Sequence, residues 1–243
     1  MRKLALLVVL FCITVTVHAQ ENIVKLGLGS ALNGQINLEY ERALTEKTSV
    51  LAEVSFKIPN KLPDNFFSQL EGDGTVNNIQ FDEGKLGGFL FAAEYRFYTK
   101  GNAPKGFYIS PYLKLNNNKF DLTGSYNNNT TGATNIASEA SLGLFSASIG
   151  GNIGYQWLIA DKVSINWNIL GLGLGINRVS GEFTAADNGV FDDFAQDVTE
   201  FLDAIPILPN IAIESSNAEQ TIKASDSFLF PAARVSLSVG YAF

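Results

Sequence analysis

The last sixteen residues, Phe228 to Phe243 (FLFPAARVSLSVGYAF), leave the chain few choices. Counted in twos from the end, Phe243, Tyr241, Val239, Leu237, Val235, Ala233 and Leu229 share one face, with Pro231 between the last two. Ala242, Gly240, Ser238, Ser236, Arg234 and Ala232 share the other. Side chains of a strand alternate between its faces, so the segment reads as extended, oily on one side and small or polar on the other. Its length exceeds that of an ordinary soluble strand and suits a tilted strand that crosses a bilayer and runs somewhat past it. The expectation is a closing strand of a membrane barrel.

The start of the chain supplies an address. Met1-Arg2-Lys3 is basic, Leu4 to Val17 is apolar, and Val17-His18-Ala19 before Gln20 has the small-x-small form of a cleavage site. Residues 1–19 are expected to be a signal peptide and 20–243 the barrel domain. A lipoprotein signal around Cys12 fits less well, because that cysteine follows the bulky Phe11 inside the apolar run. Cleavage after Ala19 would remove the single cysteine, Cys12, and the single histidine, His18. Thiolate chemistry, disulfides and imidazole catalysis would go with them. No enzyme is expected, and no cofactor or metal.

Losing Arg2 and Lys3 takes 17 basic against 24 acidic residues to 15 against 24, a formal charge of −9. Such a chain repels the phosphates of nucleic acid. Beyond the leader no apolar run approaches the roughly 20 residues of a membrane helix, so a crossing must use strands in a closed barrel.

Seven further segments repeat the two-faced pattern: Ile23 to Leu32, Gln35 to Leu44, Thr48 to Ile58, Lys85 to Thr99, Phe107 to Asn116, Ala140 to Leu158, and a seventh from Val163. The seventh changes parity, Val163, Ile165, Trp167 and Ile169 giving way to Leu170, Leu172, Leu174 and Ile176, which a bulge near Ile169 to Gly171 would reconcile. Asn33-Gly34 favours a tight turn. The other odd connections, Pro59 to Gly84, Asn117 to Glu139 and Asn177 to Ser227, are long and the even ones short, the asymmetry of bacterial outer-membrane barrels. A helical turn is expected around Asn65 to Leu70, and an amphipathic helix runs from Phe191 to Ile205, stopped by Pro206. A second short helix is expected near Ser216 to Ala224. The fold class is therefore all-β: an eight-stranded antiparallel up-and-down transmembrane barrel with a short helix in the last external loop.

The runs INLEYERALTEKTSV (Ile36 to Val50), GFYISPYLKL (Gly106 to Leu115) and GYQWLIADKVSINWNILGLGLG (Gly154 to Gly175), with the terminal Phe243, resemble small outer-membrane β-barrels of the Bacteroidota type. These are relatives in shape of the outer-membrane protein A and X barrels. The resemblance covers strands and turns; it implies fold and location and carries no catalytic residue. It also implies that Tyr241 and Phe243 form the aromatic C-terminal signal read by the outer-membrane insertion machinery. Outer-membrane lipid and that machinery are the implied partners of a monomeric barrel, and any extracellular partner is unidentified.

On the inward faces lie four bases, Lys25, Arg96, Lys114 and Arg234, and four acids, Glu39, Glu41, Glu53 and Glu94, with Lys57 near the outer rim. An eight-stranded barrel is just wide enough to be filled by its side chains. An unpaired charge there costs several kcal/mol, so an ion-paired, plugged interior is expected. The competing readings are a narrow pore for small or hydrophobic solutes and a carboxylate pair, Glu39 and Glu41, doing proton chemistry. From Arg178 to Asp226 ten acids face two bases. This is expected to be a solvated helical cap whose Phe face packs over the barrel mouth. The sharper alternatives are calcium capture, for which Asp-x-Asp-x-Asp-Gly spacing is lacking, and a binding surface formed by Phe191, Asp192, Asp193, Phe194 and Phe201. Tyr95, Phe97, Phe107, Tyr155, Trp157, Trp167, Tyr241 and Phe243 read as an aromatic girdle near the short turns. A lipid-modifying barrel enzyme is the third reading, disfavoured by the missing histidine.

Overall fold

A computed structural model describes residues 22–31, 34–61, 78–100, 102–128, 133–186, 189–203 and 211–243. The strands are β1 (Asn22–Gly27), β2 (Gln35–Thr45), β3 (Thr48–Lys61), β4 (Ile79–Tyr98), β5 (Gly106–Asn128), β6 (Ala133–Ile159), β7 (Val163–Ala185), β8 (Ala212–Ser216) and β9 (Thr221–Ala242). Two helical segments, α1 (Leu28–Ala31) and α2 (Phe191–Asp203), interrupt them. Each strand from β1 to β6 pairs antiparallel with the next, β7 pairs with β9, and β9 pairs with β1. Eight strands thus close a ring, and the chain adopts the up-and-down transmembrane barrel its alternation predicts. The short β8 pairs with the far end of β9, outside the ring.

The seam is sewn by the chain ends: Phe243 N–H donates to Asn22 O at 2.9 Å and Asn22 N–H to Phe243 O at 3.3 Å. Both ends therefore lie with the short turns after β2, β4 and β6; this is called the lower end below. Following the pairs from Phe230 through Gly175, Ser148, Lys114, Ala92, Glu53 and Glu39 to Lys25 leads back to β9 at Gly240, ten residues further along. Such a stagger requires strands tilted by about 35–45°.

The outward face carries the apolar belt. Leu229, Val235, Leu237, Tyr241, Phe243, Leu172, Leu174, Ile176, Ile149, Ile153, Ile36 and Phe56 are among its exposed side chains. On β6 the belt spans Phe145 to Ile159, which at about 3.3 Å per residue and that tilt stands roughly 35 Å tall, enough for a bilayer core and its interfaces. Near the lower end Tyr95 and Phe97 sit 4.9 Å apart, and Tyr155 and Trp157 4.6 Å apart, as a ring of exposed or half-buried aromatics.

The parity change in β7 is a bulge: Asn168 pairs with Ser236 but Gly171 with Arg234, so one extra residue is absorbed. Gly34, at φ 67°, takes the left-handed conformation of the tight turn after α1; Asn33 lies outside the described residues. Several boundaries differ from the pattern. The first strand ends at Gly27 and turns helical over Leu28–Ala31. The expected loop Asn117 to Glu139 is largely ladder, and strands also run into both ends of the expected loop Asn177 to Ser227, with β5, β6, β7 and β9 continuing above the belt. Backbone pairing satisfies N–H and C=O groups whatever the side chains, so Asn, Thr and Gly do not end a strand that already has a neighbour. The second helix expected near Ser216 to Ala224 is instead the end of β8, a turn and the start of β9. There Ile222 and Ala224 are buried and Lys223 exposed, a period of two. The helical turn expected around Asn65 to Leu70 falls outside the described residues.

Candidate functional site: the barrel interior

The inward-facing charges meet in one network that begins near the lower end. Lys25 Nζ, on β1, donates to Glu41 and to Gln156 Oε1 (2.8 Å), and lies 3.9 Å from Glu39. Arg96, on β4, donates to Glu94 (2.9 Å), Glu41 (3.2 Å), Gln156 (3.1 Å) and Asn166 (3.3 Å), and its guanidinium stacks 4.2 Å above the Tyr108 ring. Glu41 also accepts from Tyr98 (2.6 Å) and Ser49 (2.5 Å). A carboxylate has about four acceptor positions, and Lys25, Arg96, Tyr98 and Ser49 occupy them. Those four donors leave Glu41 no free acceptor position. Lys25, Glu41, Arg96 and Gln156 are all at most 1% exposed, so this layer is shielded from solvent.

A second layer sits above it. Arg234, on β9, donates to Glu94 (2.6 Å) and to Glu53 on β3, spanning the barrel. Glu53 further accepts from Asn37 (2.5 Å), Glu94 from Ser110 (3.2 Å), and Glu39 from Ser238 (3.0 Å). Seven of the eight charges read from the sequence are thus brought together. Lys114 faces inward, half-buried, but makes no ion pair among the described residues. The partners that charge-counting passes over are Asn37, Gln156, Asn166, Tyr98, Tyr108, Ser49, Ser110 and Ser238. All share the inward parity, which was the available signal.

The upper end is closed by different chemistry. Helix α2 lays its apolar face against inward residues of the tall strands: Phe191, Phe194, Val198 and Leu202 pack with Ile79, Leu122, Tyr126, Ala140, Phe183, Ile222 and Ala224. Phe194 meets the Tyr126 ring edge-on at 5.3 Å, and Tyr126 Oη donates to Asp197 at 2.7 Å. Asp192 and Asp193 occupy the first helical turn, where acidic side chains complement the helix dipole. Phe191 and Phe194 are 2% and 1% exposed. They anchor the cap and so cannot form the docking surface considered with Asp192, Asp193 and Phe201; the side chain of Phe201 lies outside the described residues. Asp192, exposed, accepts from Asn217 at 3.0 Å.

Against known proteins the chain gives little beyond its fold. No curated protein matches it. It is similar to the solved structure of a major outer membrane protein from Thermus thermophilus, at 14% identity and a TM-score of 0.40, over 93% of this chain and 100% of that one. A family model described as "Protein of unknown function (DUF3575)" matches residues 5–187, more than half of the chain, and the chain belongs to that family.

Proposed function

We propose that this protein is a monomeric outer-membrane barrel that does not conduct, with a structural or surface-binding role. The observation that carries the reading is double closure of the bore: the buried layer of Lys25, Glu41, Arg96 and Gln156 below, and the α2 cap above. Inside an eight-stranded barrel such a layer leaves no continuous water path, which speaks against the narrow-pore reading. The exposed apolar belt with its aromatic ring supports immersion in lipid. Its location in the outer membrane, the removal of residues 1–19 and the Bacteroidota type of barrel rest on the sequence patterns. Tyr241 and Phe243, at the lower rim, serve as the signal for the insertion machinery. No catalytic residue is assigned. The ion-pair network acts by locking the strands, and the acidic turn surface around Asp192 faces the exterior, available to a partner. Recording from the purified protein in planar bilayers tests this: a silent membrane is expected, and a steady single-channel conductance would overturn it.

A further inference from the structure

Among the described residues the barrel wall has a break. On β9, residues 221–225 pair with β8 and 238–242 with β1. Residues 226–237 have β7 on one side and, among the described residues, no strand on the other. The short helix α1 lies across this break, against both β2 and β9. Pro231 falls within it, and a proline is tolerated where its missing N–H has no ladder partner to serve.

A cavity of about 310 Å³ opens at the break, and its lining runs from the inside of the barrel through to the wall. Lys114, Arg234, Asn37 and Ser236 line its inner part; Val235 and Leu237, whose side chains point outward and are 67% and 41% exposed, line its edge. Arg234 and Glu53, themselves ion-paired, line it from within, and α2 packs on the strands farther up. The way out is sideways, at the level of the apolar belt, where Ile36 and Leu38 of β2 are also exposed.

The charges select the guest. Arg234, Glu53 and Glu39 share this cavity with Lys114, and Glu53 is already held by Arg234 and Asn37. Glu39, the other acid at the cavity, is held by Ser238 and Lys25. Among the described residues the Lys114 ammonium makes no ion pair within 4 Å, and the Ser236 hydroxyl is buried without a hydrogen-bond partner. Both can donate to an anion. The volume is at the small end for ligand pockets, room for a head group with its chain outside.

We propose that this side chamber binds the carboxylate of a long-chain fatty acid arriving from the surrounding lipid. Lys114 and Ser236 donate to the carboxylate, and the acyl chain leaves over Val235 and Leu237 into the bilayer. The inference rests on the membrane-embedded reading above but not on the absence of conductance. Radiolabelled oleate is titrated against the full-length barrel folded in a non-ionic detergent, with folding checked by heat-modifiable gel mobility. Saturable binding of one oleate per barrel is expected, without competition by oleyl alcohol, which lacks the charge. Lys114→Gln should weaken binding roughly 10- to 100-fold, the worth of a charge-assisted hydrogen bond. A side chain added at Gly29 meets open space, so Gly29→Trp should obstruct the opening and weaken binding while leaving the head-group donors untouched. Should Lys114→Gln not fold, Ser236→Ala replaces it, with a loss of roughly tenfold expected from the same donors. Oleate partitioning no better than into empty micelles, or variants that bind like the parent, would overturn the proposal. Lysophosphatidate displacing oleate at far lower concentration would overturn the carboxylate assignment. Failure of the belt to insert into vesicles would instead sink the membrane reading.

Discussion

Replacing Arg234 by alanine removes the cation that bridges β9 to the opposite wall. Its guanidinium bonds Glu53 and Glu94, and the side chains are 8%, 7% and 0% exposed. The two acids do not suffer equally. Glu94 keeps Arg96 at 2.9 Å and Ser110 at 3.2 Å, whereas Glu53 keeps only Asn37 among the described residues. The expected cost is that of one uncompensated buried charge, about 3–5 kcal/mol. A charge-neutralising second change at the orphaned acid, Arg234→Ala with Glu53→Gln, should recover much of this, while Arg234→Ala with Glu94→Gln should recover less because Glu94 has other donors. The assay is reversible urea unfolding of the barrel in phospholipid vesicles, followed by tryptophan fluorescence, as a double-mutant cycle. Insertion itself should persist, since the outward belt is unaltered. If Arg234→Ala fell within about 0.5 kcal/mol of the parent, or if Glu53→Gln gave no rescue, the network would not be what locks this barrel.

Deleting Phe243 removes the aromatic terminus and both backbone bonds to Asn22 across the seam; the folded fraction recovered in outer-membrane extracts should fall, and equal recovery would refute the assembly role. Phe194→Ala empties the centre of the cap, where the ring is 1% exposed, at a cost of about 3–5 kcal/mol. Hydrogen exchange should then rise in α2 while β2 and β3 stay protected, and bilayers should remain silent because the buried ion-pair layer is still in place. At Gly154 an added Cβ would sit 2.3 Å from Tyr108 Oη, whose hydroxyl donates to Asn166 at 3.0 Å. Gly154→Ala should therefore destabilise by about 1–3 kcal/mol through overpacking, visible as a lower urea midpoint; an unchanged midpoint would mean the Tyr108 layer can shift freely.

The alternation of apolar and polar residues over Phe228–Phe243 and its seven counterparts determined the barrel, its strand count and which face meets lipid. Period-two patterning is local: it is imposed residue by residue on a strand buried on one side and solvated in lipid on the other. The parity break at Leu170 likewise disclosed the β7 bulge. What local pattern could not supply was where strands stop. Asn117–Asn128 and Asn177–Ala185 look like loop by composition, yet they extend the wall because a neighbouring ladder satisfies them. Pairing of charges was equally out of reach. Arg234 and Glu53 are 181 residues apart in sequence and meet only because the ten-residue stagger of the ring sets β9 opposite β3. The same stagger, above a six-residue β1, leaves residues 226–237 of β9 with β7 on one side and, among the described residues, no strand on the other. The sequence dictated that the chain would form a barrel; the register at which the ring closed decided which inward charges would neutralise one another and which, like Lys114, would make no ion pair among the described residues.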